Sequence, residues 1–203
     1  MLEVETVNMT FDEMRAFIID LIKSVLEAVK NSGHIVRYPE IISRIKRLEK
    51  EFEPDYISYD NFIRLFEHFE KSLIDRNLDI SDADYLISKH LERPVMVTDY
   101  PIKLASWTAK RIDSENSYAV NLLLPHSYGE LCEGCERTTD CRLLRYKFKC
   151  ANIENLNWYI DAVKDITEPR CGFGLGIDRL VRWIVGSERI EETVFFPRKN
   201  YTR

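Results

Sequence analysis

Glycine is scarce in this chain, with seven in 203 residues, and three of the seven stand together at Gly172, Gly174 and Gly176. Other features are missing as well. No apolar run approaches bilayer-spanning length and no basic and apolar leader opens the chain, which argues against a membrane anchor or a secretory signal and predicts a cytoplasmic protein. There is no run of lysine or arginine and the net charge is −5, so a strong stand-alone nucleic-acid binder is not expected. Internal repeats and low-complexity segments are absent. The five cysteines are an odd number without a secreted-scaffold pattern, which predicts reduced thiols. Four of them form Cys132-x2-Cys135-x5-Cys141-x8-Cys150, a set that could hold zinc or an iron–sulfur cluster. Zinc sites usually pair two C-x-x-C knuckles or add His, so separate thiols are the favoured reading.

Three alternate glycines in CGFGLGIDRL, residues 171–180, let backbone come close to something, and phosphate is the commonest such partner. Two familiar phosphate motifs fail on spacing. Ile177 stands where a dinucleotide fingerprint needs its third glycine, and Ile177-Asp178 replace the Lys-Ser/Thr of a P-loop. What remains is a strand with an open face, followed by a helix in which Ile177, Leu180, Val181, Ile184 and Val185 mark a buried stripe. Arg179 lies off that stripe in the first turn, where a guanidinium suits a polyphosphate. Tight helix-on-sheet packing with a solvated Arg179 explains the same residues equally well.

The length suits one domain with one good core, and the pattern is α+β. Leu2, Val4 and Thr6 alternate with Glu3 and Glu5, a half-buried strand carrying two carboxylates on one face. Thr10-x-x-Glu13 is a capping box opening a long amphipathic helix through Phe11, Met14, Phe17, Ile18, Leu21, Ile22, Val25, Leu26 and Val29 to Gly33. Residues 39–92 read as a charged helical insertion, with caps at Ser58 and Ser81 and a repeat in Phe62, Ile63, Phe66 and Phe69. Antiparallel strands are expected at 94–99, 103–111, 118–124 and 129–137, then a helix around 153–164.

A second chemical cluster lies in NLLLPHSYGELCEGCER, residues 121–137. Glu130 and Glu133 fall on opposite faces of an ideal strand, but a bulge at Gly134 would bring both to one ligand. Arg137 offers a fork for a carboxylate or amide. Paired carboxylates facing a polyphosphate-binding arginine would hold Mg²⁺, while a solvated edge strand is the plainer alternative. His126, beside Pro125 and Ser127, reads as a surface turn residue before it reads as a base or ligand. Trp107 and Trp158 read as packing residues.

GFGLGIDRLVRWIVGSERIEETVFFPR, residues 172–198, resembles the third signature motif of class II aminoacyl-tRNA synthetases, in the subgroup handling aspartate and asparagine. ISYDNFIRLF at 57–66, RPVMVTDYP at 93–101 and SYGELCEGCER at 127–137 follow the same family in order and spacing, the asparaginyl type being the closer match. The resemblance covers nearly the whole chain. It implies an antiparallel sheet flanked by helices that binds bent ATP with Mg²⁺, and attack of an amino-acid carboxylate on the α-phosphate to give an aminoacyl-adenylate. By motif, Arg179 would bind the γ-phosphate, with Ile177 and Asp178 beside it, and Gly174 and Gly176 would let adenine and ribose lie on the sheet. Glu130 would hold Mg²⁺ and ATP, with Glu133 and, weakly, Asn121 as further metal positions. Glu133, Gly134 and Arg137 would meet the amino acid.

The departures are specific. Asn121 stands where the family has a metal-binding Asp, Glu133 where it has Gly or Ser, Ala105 where it is usually basic and Thr108 where it is usually aromatic. The chain opens on MLEVE, the last residues of the second motif, with Glu3 as its closing acid. That motif's α-phosphate arginine, the dimer-building first motif and the anticodon-binding domain are not in it. Three functions follow as alternatives: an asparaginyl-tRNA synthetase-like ligase acting on asparagine or aspartate, an ammonia-dependent asparagine synthetase-like paralogue, and a silent nucleotide- or partner-binding paralogue. The expected ligands are ATP, Mg²⁺ and asparagine or aspartate. The expected partners are tRNA for a full-length form, and a second copy or a complementing polypeptide.

Overall fold

The computed structural model describes residues 1–69 and 80–197. Its elements are β1 (Leu2–Val7), α1 (Phe11–Asn31), α2 (Pro39–Glu51), β2 (Asp55–Ser58), α3 (Tyr59–Phe69), α4 (Ile80–Ser88), β3 (Val95–Pro101), β4 (Asn116–Leu124), β5 (Gly129–Glu136), α5 (Cys141–Cys150), α6 (Asn157–Val163), β6 (Arg170–Leu175) and α7 (Ile177–Val185). Six strands form one sheet in the order β1-β6-β5-β4-β3-β2, antiparallel except where β2 runs parallel to β3.

Period-2 alternation divides the strands between two faces. One face is covered by helices across its central strands, with Leu2 and Tyr56 exposed on the edge strands. Val120, Leu122, Leu124, Phe173 and Leu175 pack there against Met14, Ile18, Ile22 and Leu26 of α1, Ile45 and Leu48 of α2, and Leu180, Trp183 and Ile184 of α7. Helix α1 begins at the expected capping box: the Glu13 amide donates to Thr10 Oγ1 and the Thr10 amide donates to Glu13 Oε2. Helix α7 ends on Gly186, whose φ of 80° calls for glycine, and Arg44 of α2 donates to the Trp183 carbonyl near that end.

The other face is covered over only part of its width. Phe62 of α3 and Ile87 of α4 close over Val95, Val97, Ala119 and Leu123, while β5, β6 and β1 are left open beside them. This half-covered sheet positions the site.

Several expectations need correcting. The helical stretch 39–92 contains β2, four residues whose neighbours on either side are helical and whose pairing is decided by β3. Residues 103–111 form turns with isolated bridges at Ala109 and Arg111 in place of a strand, because the Leu104 and Ala105 amides turn back onto the Pro101 carbonyl at the end of β3. Helix α5, capped by Asp140 through the amides of Arg142 and Leu143, was not anticipated. Phe17 is exposed, although its ring meets Phe173 at 6.0 Å. In α7 the buried residues are Leu180, Trp183 and Ile184, and Ile177, Val181 and Val185 form an exposed row four residues apart. The side chains of Phe66, Phe69 and Ser81, and all of Arg198, lie outside the described residues.

Candidate active site

The open part of the sheet is the floor of a cleft of about 620 Å³. Its width comes from register. Glu3, Gly174 and Glu133 stand in one cross-strand row, and Glu5, Gly172 and Cys135 in the next, so a bare glycine separates side chains of β1 from those of β5 in both rows. Gly176, Ile177, Asp178 and Arg179 form one wall at the start of α7, and Met1 and Ser106 border other sides.

A bulge brings the two carboxylates together. Leu122 pairs with Cys132 but Leu123 pairs with Glu130, so Leu131 is the extra residue in β5. Leu131 and Cys132 both enter the helix-covered core, and the shift returns Glu130 to the same face as Glu133. The bulge expected at Gly134 is not there, since Gly134 pairs regularly with Val120; it lies at Leu131, and it has the effect of bringing the two glutamates to one face. The Leu131 carbonyl accepts from the Gly176 amide at 2.9 Å, which ties the start of α7 to the bulge and sets Arg179 near Glu130.

Glu130 is half-buried, and burial raises its pKa; Glu133 raises it further and Arg179 opposes. Asn121 on β4 donates its amide to Glu130 Oε2 at 2.9 Å and to Asp84 Oδ2 at 3.2 Å. Asp84, on α4, is 1% exposed and its pKa is pushed up to about 7, first by burial and then by Glu130 and Glu133, against the hydrogen bond from Asn121. Arg179 forms no salt bridge within 4.0 Å among the described residues, so the charge at the head of α7 faces the cleft unneutralised.

At the other end, Arg137 is held on three sides. Nη1 donates to Thr108 Oγ1 at 2.7 Å and to Cys135 Sγ at 2.9 Å, Nε donates to Glu5 Oε2 at 3.3 Å, and Nη2 pairs with Glu5 Oε1. Burial opposes the charge on Arg137, and the bonds to Glu5 and Cys135 outweigh it, so the guanidinium is held more firmly protonated. Glycine at 172 leaves room for this pair: a β-carbon at that position would occupy the space of the Glu5 carboxylate and Arg137 Nη2 and push them aside. Lys147 of α5, nearly buried, donates to the Ser106 carbonyl at 2.8 Å and pins the turn that carries Thr108. Burial lowers the Lys147 pKa.

The structure thus gathers Glu130, Glu133, Gly134, Arg137, Gly174, Gly176, Ile177, Asp178 and Arg179 around one cleft. Asn121 lies beneath it, with its nitrogen turned to two carboxylates. His126 is elsewhere, exposed in a turn at φ 57°. All five cysteines are free thiols: Cys132 faces the α1 side and Cys135 the opposite side, while Cys141 and Cys150 stand at the two ends of α5. Among the described residues no three His, Cys, Asp or Glu side chains are arranged to hold a metal ion. Trp107 packs edge-on against Phe148 and Tyr159, whereas Trp158 is 64% exposed. Sequence reasoning missed Glu5 and Asp84 as members of the site. Glu5 was visible as an inward carboxylate of an alternating strand; Asp84 sits in a helical segment with no local mark of chemistry.

A model of the family described as tRNA synthetases class II (D, K and N) matches residues 1–200. The chain belongs to that family. Among solved structures, the asparaginyl-tRNA synthetase of Pyrococcus horikoshii in complex with asparaginyl-adenylate superimposes with a TM-score of 0.79 at 24% identity, covering 98% of this chain and 47% of that one. The asparaginyl-tRNA synthetase of Entamoeba histolytica, also complexed with asparaginyl-adenylate, gives 0.77 at 21% identity over 97% of this chain and 46% of its own. The aspartyl-tRNA synthetase of Entamoeba histolytica gives 0.74 at 15%, covering 98% and 42%. These likenesses establish the class II synthetase fold, a helix-flanked six-stranded sheet in mixed α+β architecture. The chain spans about half the length of the asparaginyl enzymes it matches. Among the described residues no helix is long and apolar enough to cross a membrane.

Proposed function

We propose that the cleft binds ATP with Mg²⁺ together with asparagine and forms asparaginyl-adenylate, the first step of charging tRNA. The observation that carries this is the convergence, on one bare strip of sheet, of a free guanidinium at Arg179, two carboxylates at Glu130 and Glu133, and the Arg137–Glu5 pair. Arg179 suits the outer phosphates. Two carboxylates are too few for a protein-only cage, but they fit Mg²⁺, which is commonly held by one or two carboxylates plus substrate phosphates. When bound, the ion would neutralise phosphate charge. Gly174 and Gly176 leave bare backbone for flat rings, with the flexible end of Met1 over Gly174 free to move aside.

The Arg137–Glu5 pair favours asparagine over aspartate. A carboxamide presents one acceptor and two donors, which match a guanidinium and a carboxylate side by side. A carboxylate ligand would bring a second negative charge against Glu5. In the reaction, an oxygen of the amino acid's α-carboxylate attacks the α-phosphorus and the bond to the bridging oxygen of pyrophosphate breaks. The protein's part is positioning and charge neutralisation, with no dedicated base.

Calorimetric titration with Mg·ATP tests the proposal. Wild type is expected to bind, Arg179→Ala to bind at least about tenfold more weakly, and asparagine to tighten the nucleotide more than aspartate does. Equal binding by wild type and Arg179→Ala would refute the nucleotide site, and tightening by aspartate alone would refute the choice of amino acid.

A further inference from the structure

Glu130 stands between unlike neighbours. Glu133 repels it, and Arg179 attracts it across the cleft from the start of α7. Without restraint a glutamate so placed swings onto the arginine, and the resulting ion pair would withdraw both side chains from an incoming ligand. That collapse is absent. Glu130 Oε2 accepts from Asn121 Nδ2 at 2.9 Å, and the same nitrogen donates to Asp84 Oδ2 at 3.2 Å, so one amide group bridges two carboxylates from below.

Asn121 is 6% exposed and Asp84 1% exposed. Asp84 does not line the cleft; from behind it, its carboxyl accepts from Asn121 and acts on Glu130 directly as well. Its other oxygen, Oδ1, is buried with no hydrogen-bond partner among the described residues, and so is the hydroxyl of Tyr100 on the neighbouring strand. Leaving a buried carboxylate oxygen unpaired is unfavourable, and a helix residue with only a packing role would be satisfied by an apolar side chain. An aspartate at position 121 would place a third carboxylate between Asp84 and Glu130, whereas the amide supplies a hydrogen to each.

We infer that Asp84 and Asn121 act as a latch that holds Glu130 away from Arg179, keeping the cation-binding carboxylate and the phosphate-binding guanidinium both free before ligand arrives. Both are positioning residues, and the inference rests on the nucleotide reading of the cleft. Asp84 fixes the plane of the Asn121 amide, the amide fixes Glu130, and the restraint is prepaid in folding so that less order is lost on binding.

The test is calorimetric binding of ATP in the presence of EDTA, where only the arginine end of the site is read. Asn121→Ala and Asp84→Ala are each expected to weaken ATP binding about fivefold to tenfold, because the released Glu130 neutralises Arg179. The two together weaken it no more than either alone, since they form one chain of contacts. Asp84→Asn keeps the acceptor and binds like wild type. The decisive variant is Asn121→Ala combined with Glu130→Gln: with the charge at 130 removed, affinity returns to that of Glu130→Gln alone, a rescue that a merely structural role does not produce. If Asn121→Ala does not fold, Asn121→Ser takes its place in the same comparison. ATP binding by Asn121→Ala equal to wild type, or a loss that Glu130→Gln fails to restore, overturns the latch. Arg179→Ala, run alongside, separates the two claims: if it too binds like wild type, the nucleotide reading falls; if it alone loses ATP, only the latch falls.

Discussion

Glu5→Gln is the substitution that bears most directly on which amino acid the cleft selects. Arg137 already has Glu5 on its fork, so a carboxylate ligand at the guanidinium would lie roughly 4–5 Å from a second negative charge. The Glu5 side chain is 64% exposed, which places the interaction in a high effective dielectric. Coulomb's law with a dielectric of about 40–80 then gives a repulsion of about 1–2 kcal/mol, or roughly fivefold to thirtyfold in affinity. An amide ligand carries no such penalty, and it can donate to Glu5. Glutamine at position 5 keeps an acceptor oxygen and removes the charge. Aspartate should therefore gain roughly fivefold to thirtyfold while asparagine changes by less than about threefold. The measurement is calorimetry of each amino acid into protein saturated with Mg²⁺ and a non-hydrolysable ATP analogue. Thermal unfolding should move little, because the Glu5 end of the pair is open to solvent, where such a pair contributes about 0–1 kcal/mol, and the glutamine oxygen still accepts from Arg137. An asparagine-to-aspartate ratio unchanged by the substitution would show that Glu5 does not set the selection.

Three further outcomes are expected. Gly172→Ala displaces the movable ends of Glu5 and Arg137, so asparagine binding should drop by an order of magnitude or so while chemical denaturation stays within about 1 kcal/mol of wild type. Gly134→Ala places a β-carbon 2.7 Å from Phe173 Cβ and 3.1 Å from the Gly172 carbonyl, neither of which can swing aside; urea unfolding should report a loss of about 1–3 kcal/mol. Asp84 has a folded pKa of about 7 against 3.8 when unperturbed, so the folded state holds the proton more tightly. The resulting stabilisation is complete below pH 3.8 and lost as pH rises through 7, up to about 4 kcal/mol relative to a group that does not titrate. Denaturation of wild type and Asp84→Asn across that range checks it, and parallel pH profiles would contradict it.

Local signals were enough wherever one element settles its own structure. The capping box at Thr10 and Glu13 needs only residues within one turn, and the alternation in Leu2–Thr6 needs only neighbours along a strand. The glycine strand was equally visible, since β6 carries its bare face in every second residue. Strand β2 was hidden because four residues flanked by helical text have no preference strong enough to declare a strand; β3 confers it by pairing. The buried stripe on α7 differs from the apolar pattern for a similar reason. Ile177, Val181 and Val185 are apolar, but the direction in which a helix packs is set by the surface it meets, and α2 with the sheet meets Leu180, Trp183 and Ile184.

The order of residues specifies which chemistry can be present: an arginine opening a helix after a bare strand, a strand with two glutamates and an arginine, and an amino-terminal strand with paired acids. Which of these groups meet is set by the packing of strands and helices. The bulge at Leu131 rotates Glu130 onto the face of Glu133, pairing across β6 carries Glu5 to Arg137 over 132 residues of chain, and α4 delivers Asp84 beneath Asn121. Each of those contacts depends on register and packing between segments distant in sequence, and a periodic pattern along one segment cannot encode them.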